Sequence, residues 1–250
     1  MDLKLTAKVA IVTGGGGGCG RAYCLALAEE GARVVVADLN GEAAEQVAKE
    51  IKEQGGEALA IKADITKWGD VTNMVDIALQ EFGQIDILVN NAGIRGMAKI
   101  EEFPEELWDR DMDVNLRGPF FCTKAVAGHM KERRYGKIIN QSSSSAINGH
   151  KAGGSAYAAA KAGLLGFTRS MAGELGPYNI NVNAITPGMI NTPFIAAMPP
   201  ARRGEIEKQC PLGRIAEPED LVGLVLFLAS DRSSYITAQT IMIDGGQRPS

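Results

Sequence analysis

Val9-Ala10-Ile11-Val12-Thr13-Gly14-Gly15-Gly16-Gly17-Gly18-Cys19-Gly20 is the stretch that decides the fold. A β-branched run ends directly in a glycine turn, and the turn opens a helix expected to begin near Arg21. A strand, a glycine turn and a helix N-terminus in that order make an anion site. Backbone N–H groups point outward, the helix dipole favours negative charge, and the missing side chains admit a pyrophosphate. The glycine string alone is a weak signal, because consecutive glycines also make a flexible turn. Its context strengthens it: Val34-Val35-Val36-Ala37 ends in Asp38, about eighteen residues beyond Gly20. A carboxylate at that strand tip accepts hydrogen bonds from both ribose hydroxyls and repels a 2′-phosphate. Neither Gly17 nor Leu39 supplies a cation to offset the repulsion, so NAD is expected over NADP. The competing role for Asp38 is a helix cap or a turn.

Outward from this unit, short apolar runs alternate with longer amphipathic stretches. After Val34–Val36 come Ala58–Ile61, Ile85–Val89, Lys137–Ile139, Ile180–Ile185 and Thr240–Ile243, making seven candidate strands with the first. Near-continuous apolar runs suit parallel strands covered on both faces, and the segments between them are long enough for helical crossovers. The expected architecture is an α/β doubly wound sheet. No Ser/Pro-rich linker, charge block or fixed-period repeat marks a boundary, so residues 1–250 read as one domain. Pro187 to Pro218 is irregular, with Pro193, Pro199, Pro200, Pro211 and the pair Arg202-Arg203. It is expected to form a substrate lid at about 188–217, with a poorly ordered insertion as the alternative.

Net charge of -4 and a pI near 5.4 argue against a nucleic-acid partner, since such proteins usually present a basic face. No apolar run reaches the roughly 18 residues of a membrane span, and Met1 to Lys8 has no apolar signal core, so a cytoplasmic protein is expected. Cys19, Cys24, Cys122 and Cys210 lack CxxC spacing and only two histidines are present, so no zinc set forms. The cysteines read as buried thiols in a reducing compartment.

Three further groups carry chemistry: Asn90-Asn91-Ala92-Gly93, Asn115 in Asn115-Leu116-Arg117-Gly118, and Tyr157-Ala158-Ala159-Ala160-Lys161. Residues four apart on a helix share a face, so Tyr157 and Lys161 can point into one cavity. A phenol titrating near pH 10 is a poor base at neutrality, and each unit its pKa falls is worth about 1.4 kcal/mol toward phenolate. A nearby ammonium lowers it, and so does a positive nicotinamide ring. With these groups the sequence resembles the short-chain dehydrogenase/reductase family. The TGxxxGxG pattern falls on Gly14, Gly18 and Gly20, followed by the NNAG run, the YxxxK pair and Pro187-Gly188. The resemblance extends from about Val9 to Gly246.

The resemblance implies a single-domain Rossmann-type fold and an oxidoreductase that reversibly moves a hydride between a secondary alcohol or its ketone and NAD, without a metal. Tyr157 would be the general acid/base and Lys161 would also hold the nicotinamide ribose. Asn115 would hold a water in a proton relay; its competing role is a helix kink. A serine among Ser142-Ser143-Ser144-Ser145 would bind the reacting oxygen. Counting from Gly136-Lys137-Ile138-Ile139 selects Ser143 and counting back from Tyr157 selects Ser144; strand register, the tighter constraint, favours Ser143. Cys19, Leu39, Asn91, Ala92, Gly93, Pro187 and Gly188 would border the cofactor, with Asp64-Ile65 at the adenine and Ile190 and Thr192 at the carboxamide.

Substrate identity is expected to depend on the Arg95 loop, on Ala146–Ser155 and on the lid. Arg95, His150, Lys151, Arg202 and Arg203 could face an anionic group beside Ser143, Ser144, Ser145 and Tyr157; equally, they could be solvated loop charges. The resemblance also implies a homotetramer paired through the helices around Asn115–Arg133 and Ser155–Gly176. One alternative is a 3-oxoacyl thioester reductase of fatty-acid synthesis, against which Asp38 argues because that enzyme usually prefers NADPH. The other is a noncatalytic NAD-binding regulator, against which Ser143, Tyr157 and Lys161 argue.

Overall fold

Strand β1, Val9–Thr13, alternates its side chains between two cores, Val9 and Ile11 joining one and Ala10 and Val12 the other. The computed structural model describes residues 3–149, 153–192, 195 and 200–247. Around β1 lie β2 (Arg33–Asp38), β3 (Ala58–Lys62), β4 (Ile87–Asn90), β5 (Gly136–Gln141), β6 (Ile180–Pro187) and β7 (Thr240–Ile243). They form one sheet in the order β3-β2-β1-β4-β5-β6-β7, with every pair parallel. All seven expected strands are present.

Helices cover both faces, which is why the strands carry apolar residues on both sides. One core gathers Tyr23 and Leu27 of α1 (Gly18–Glu29), Val47 and Ile51 of α2 (Gly41–Glu53), and, from the helix Glu219–Ala229 near the C-terminus, Leu221 and Val225. The other gathers Met74 of α3 (Trp68–Phe82), Val126 and Met130 of α5 (Gly118–Arg133) and Leu175 of α7 (Ser155–Leu175). Between α3 and α5 lie α4 (Glu105–Met112) and a π-helical turn, Asp113–Arg117; α6 (Ser145–Asn148) follows β5. Helix α8 (Pro200–Gln209) precedes the C-terminal helix Glu219–Ala229, which is α9.

Three boundaries depart from the sequence reading. Helix α1 begins at Gly18 rather than near Arg21, because Gly18-Cys19-Gly20 are its first turn. Strand β4 begins at Ile87 rather than Ile85. Asp86 turns its buried carboxylate to accept from the Val9 N–H at 2.9 Å and to pair with Arg133 at 2.9 Å. The segment from Pro187 to Pro218 is not wholly irregular, since α8 occupies ten of its residues and begins on Pro200, a residue preorganised for a first helical position.

The strand order reverses between β1 and β4, and their carboxyl ends open the crevice where open α/β sheets bind ligands. Asn91 closes its floor, donating from Nδ2 to the carbonyls of Thr13 at 2.9 Å and Gly14 at 3.0 Å.

Candidate active site

The glycine turn forms a cradle that side chains would destroy. A Cβ on Gly20 would lie 2.0 Å from the Gly14 carbonyl oxygen, while Gly14 and Gly18 adopt φ of 65° and 51°. Gly17 and Gly18, by contrast, face open space, with nothing within 4 Å of an added Cβ. Gly17 caps α1 without a side chain, so the first helical N–H groups stay directed outward. This exposed, uncapped terminus fits a dinucleotide pyrophosphate.

Asp38 ends β2 half-buried and shapes the same loop. Its Oδ2 accepts from Gly16 N at 2.9 Å and its Oδ1 from Asn40 N at 2.9 Å. The turn role weighed against ribose binding is therefore present, yet each carboxylate oxygen keeps a second acceptor direction. The cap of α2 belongs to Asn40, whose side chain accepts from Ala43 N. Leu39 is 64% exposed, and the Arg21 guanidinium is engaged by Glu50 at 2.6 Å. Lys62 pairs in register with Asp38, but its stem lies over Gly41.

On the far side of the crevice, the end of β5 and α7 bring Ser142, Ser143, Tyr157 and Lys161 together. Ser142 Oγ donates to the Lys161 carbonyl at 2.8 Å and so fastens α7 to the strand end. Lys161 is buried, its Nζ donating to the Gln141 carbonyl at 2.7 Å and lying 5.8 Å from the centre of the Tyr157 ring. Tyr157 and Ser143 border the same cavity, and the Ser143 hydroxyl is near enough to favour the ionised phenol. Ser143 Oγ also accepts from Ser145 N at 3.1 Å, whereas Ser144 precedes α6 and gives its N–H to the Pro187 carbonyl at 2.9 Å.

Burial alone sets the state of Lys161, bringing its pKa down to about 8. Burial also raises the Tyr157 phenol, with the charges of Asp111 and Cys19 adding to the rise. Desolvation outweighs the Ser143 hydroxyl and the Arg95 charge, which both favour the ionised phenol.

Asn115 is wholly buried in the π-helical turn, so its kinking role and its site role coincide. Its Oδ1 accepts from Ile94 N at 3.3 Å, and its Nδ2 donates to the carbonyls of Ile94 at 2.9 Å and Asp111 at 2.8 Å. Gly93 keeps a gap between Asn115 and Lys161, since a Cβ there would lie 2.9 Å from Asn115 Oδ1 and 3.4 Å from Lys161 Nζ.

These groups border a cavity of about 630 Å³. Its walls include Cys19, Asn91, Gly93, Arg95, Ser143, Ser144, Ser145, Tyr157, Lys161, Gly188, Ile190 and Thr192 from the sequence reading, together with Ile195, Glu205, Ile206 and Gln209 of the Pro187–Pro218 segment. Gly188 donates its N–H to Ile243 at 3.1 Å, and Ile190 bridges to Ala216. Ala92 lies against Gly14. Asp64 and Ile65 stand apart from the cavity: Asp64 accepts from Thr66 and pairs with Lys67 at 3.4 Å, while Ile65 is buried under Gly118. Arg203 is not in the cavity wall; it pairs with Glu207 at 3.2 Å and donates to Asn191 at 3.2 Å. His150, Lys151 and the Arg202 side chain fall outside the described residues.

The family described as enoyl-(acyl carrier protein) reductase matches residues 15–248. The chain belongs to the short-chain dehydrogenase/reductase family. It is 41% identical over 244 residues to the 3-oxoacyl-[acyl-carrier-protein] reductase of Thermotoga maritima, covering 98% of this chain and 99% of that protein. It is 39% identical to the (2S)-[(R)-hydroxy(phenyl)methyl]succinyl-CoA dehydrogenase subunit BbsD of Thauera aromatica, covering 96% of each. A crystal structure of a short-chain type dehydrogenase/reductase from Mycobacterium marinum superposes with a TM-score of 0.93 at 39% identity, over 100% of this chain and 99% of that one. As a short-chain dehydrogenase/reductase, the chain is an oxidoreductase acting on CH–OH groups with a nicotinamide cofactor.

Three contributors to this site are not in the sequence reading. Gln141 receives Lys161 on its carbonyl and Tyr23 on its side chain, the latter at 2.5 Å. Asp111 is fully buried and accepts from Gly96 N with both oxygens, at 3.0 and 2.9 Å. Glu205 borders the cavity from α8. Asp111 sits in Trp108-Asp109-Arg110-Asp111-Met112-Asp113, whose alternating charges look like a solvated helix; no local signal separates the buried aspartate from its neighbours.

Proposed function

We propose that this enzyme interconverts a secondary alcohol and its ketone using NAD, with Tyr157 as the proton acceptor and donor. The observation that carries the reading is the convergence of Ser143, Tyr157 and buried Lys161 on one cavity that also borders Cys19 at the start of α1. Asp38 supports NAD, because its carboxylate offers acceptors to a ribose diol and repels a 2′-phosphate. When bound, the nicotinamide ring takes up or supplies the hydride.

In the oxidative direction, Ser143 orients the substrate hydroxyl and the Tyr157 phenolate accepts its proton. Lys161 would hold the cofactor ribose, and its charge together with that of the oxidised nicotinamide ring would favour the phenolate. Asn115 and Lys161, on either side of the gap at Gly93, hold the path by which the proton reaches solvent. Asn91, Ala92, Gly93, Gly188, Ile190 and Thr192 bind the cofactor along the crevice. Asp64 and Ile65 fix the third-strand end at the adenine side.

The family resemblance supports a cytoplasmic homotetramer, which light scattering at micromolar concentration tests. Among the described residues no helix is long and apolar enough to cross a membrane. Turnover of a panel of secondary alcohols, sugar acids and hydroxyacyl thioesters with NAD and NADP, read from reduced-cofactor absorbance, tests the reaction and the cofactor together. Faster turnover with NADP, or of 3-oxoacyl thioesters above all others, would favour the fatty-acid reductase named among the relatives. NADH binding without turnover of any member would favour a noncatalytic regulator.

A further inference from the structure

Arg95 occupies the cavity wall on a segment held from behind at two points. On its N-terminal side, Asn115 binds both the N–H and the carbonyl of Ile94, at 3.3 and 2.9 Å. On its C-terminal side, the buried Asp111 carboxylate grips the Gly96 N–H with both oxygens. Asp111 and Asn115 are themselves joined, since Asn115 Nδ2 donates to the Asp111 carbonyl at 2.8 Å. The main chain at Arg95 is therefore fixed, which removes the backbone share of the entropy lost when the guanidinium grips a ligand.

Arg95 and Lys161 are the cations among the described residues of the cavity wall. Lys161 is engaged by Gln141 and buried beneath the cofactor site. Arg95 is half-buried and close enough to Tyr157 and Asp111 for its charge to act on both. The opposing charge in the wall is Glu205, which is exposed on α8 and so more strongly screened by water and salt. A guanidinium presents five N–H donors in a planar fork, so bonds already made to the protein leave donors for a ligand.

We propose that Arg95 binds a carboxylate of the substrate, positioned by the Asp111–Asn115 clamp, so that the preferred substrates are hydroxy acids and their keto acids. The carboxylate lies near the reacting carbon, because Arg95 borders the same cavity as Tyr157 and is close enough for its charge to act on the phenol. This assignment rests on the alcohol-oxidising reading above, and its test separates the two.

The experiment compares kcat/KM for matched 2- and 3-hydroxy acids and their primary amides, in wild type and in Arg95→Gln. In parallel, calorimetry follows malonate and malonamide binding to the NADH-loaded protein. Wild type is expected to favour the best acid over its amide by at least tenfold, through KM. It is also expected to bind malonate at least tenfold more tightly than malonamide, with both ratios falling toward one in Arg95→Gln and partly returning in Arg95→Lys. NADH affinity confirms that each variant is folded. Ratios near one in wild type, or a preference that survives in Arg95→Gln, would overturn the carboxylate site while leaving alcohol oxidation in place. Malonate binding through Arg95 without turnover of any alcohol would do the reverse.

Discussion

Lys161 Nζ donates to the Gln141 carbonyl at 2.7 Å, and the side chain of that same glutamine accepts from Tyr23 at 2.5 Å. Helix α1, which carries the glycine cradle, is thus tied through one residue of β5 to the lysine of α7. Cys19 joins the same polar cluster.

Removing the Tyr23 hydroxyl should loosen this tie. Tyr23→Phe deprives Gln141 of a donor, at a cost of about 1 kcal/mol, or roughly 2–4 °C in Tm for a chain of this size. Differential scanning fluorimetry reads the shift. An unchanged Tm would show that the bond contributes nothing in solution.

Burial of Lys161 has a measurable linkage. Its folded-state pKa of about 8 lies below its ordinary 10.5, so between those values the unfolded chain binds more protons and stability rises with pH. The stability of wild type relative to Lys161→Met should therefore increase from pH 7 to pH 10.5, by up to about 3 kcal/mol. Paired urea denaturation across that range checks it; a flat difference would mean the ammonium is solvated in the folded state.

The two kinds of glycine in the turn should separate in their effects. Gly20→Ala drives a Cβ to 2.0 Å from the Gly14 carbonyl and should lower Tm by several degrees or prevent folding. Gly17→Ala meets nothing within 4 Å in the protein itself, so Tm should hold while NADH affinity, measured by fluorescence titration, falls about tenfold as the methyl intrudes on the pyrophosphate.

Asp38→Asn keeps an acceptor for Gly16 N or Asn40 N but removes the charge. The ratio of kcat/KM with NAD to that with NADP should drop at least tenfold, mostly through weaker rejection of the 2′-phosphate. A ratio unmoved by the substitution would remove Asp38 from cofactor discrimination.

Much of this arrangement was legible in the sequence because it depends on local chemistry. Two-sided apolar runs specify parallel strands whatever surrounds them, and glycines at Gly14 and Gly20 follow from a turn with no room for Cβ. The four-residue spacing of Tyr157 and Lys161 places both on one helix face. The serine run is legible as a group but not its working member, since Ser143, Ser144 and Ser145 all border the cavity. What the sequence did not show depends on distant packing. Asp111 looks solvated until the Arg95–Gly96 segment folds over it, and Gln141 acts partly through its carbonyl, which no side-chain pattern reveals. Spacing likewise identifies a neighbouring ammonium but not the desolvation that raises the Tyr157 phenol in the cofactor-free protein.

The central claim is that Tyr157 handles the proton. Single-turnover oxidation by Tyr157→Phe, with the best alcohol from the panel and NADH affinity measured alongside, tests it most directly. The rate should fall by at least about a thousandfold, combining the roughly 10²–10⁴ typical of a lost general base with the loss of substrate positioning, and NADH should bind nearly as in wild type. A variant that binds NADH normally and retains a tenth or more of the wild-type rate would contradict the assignment.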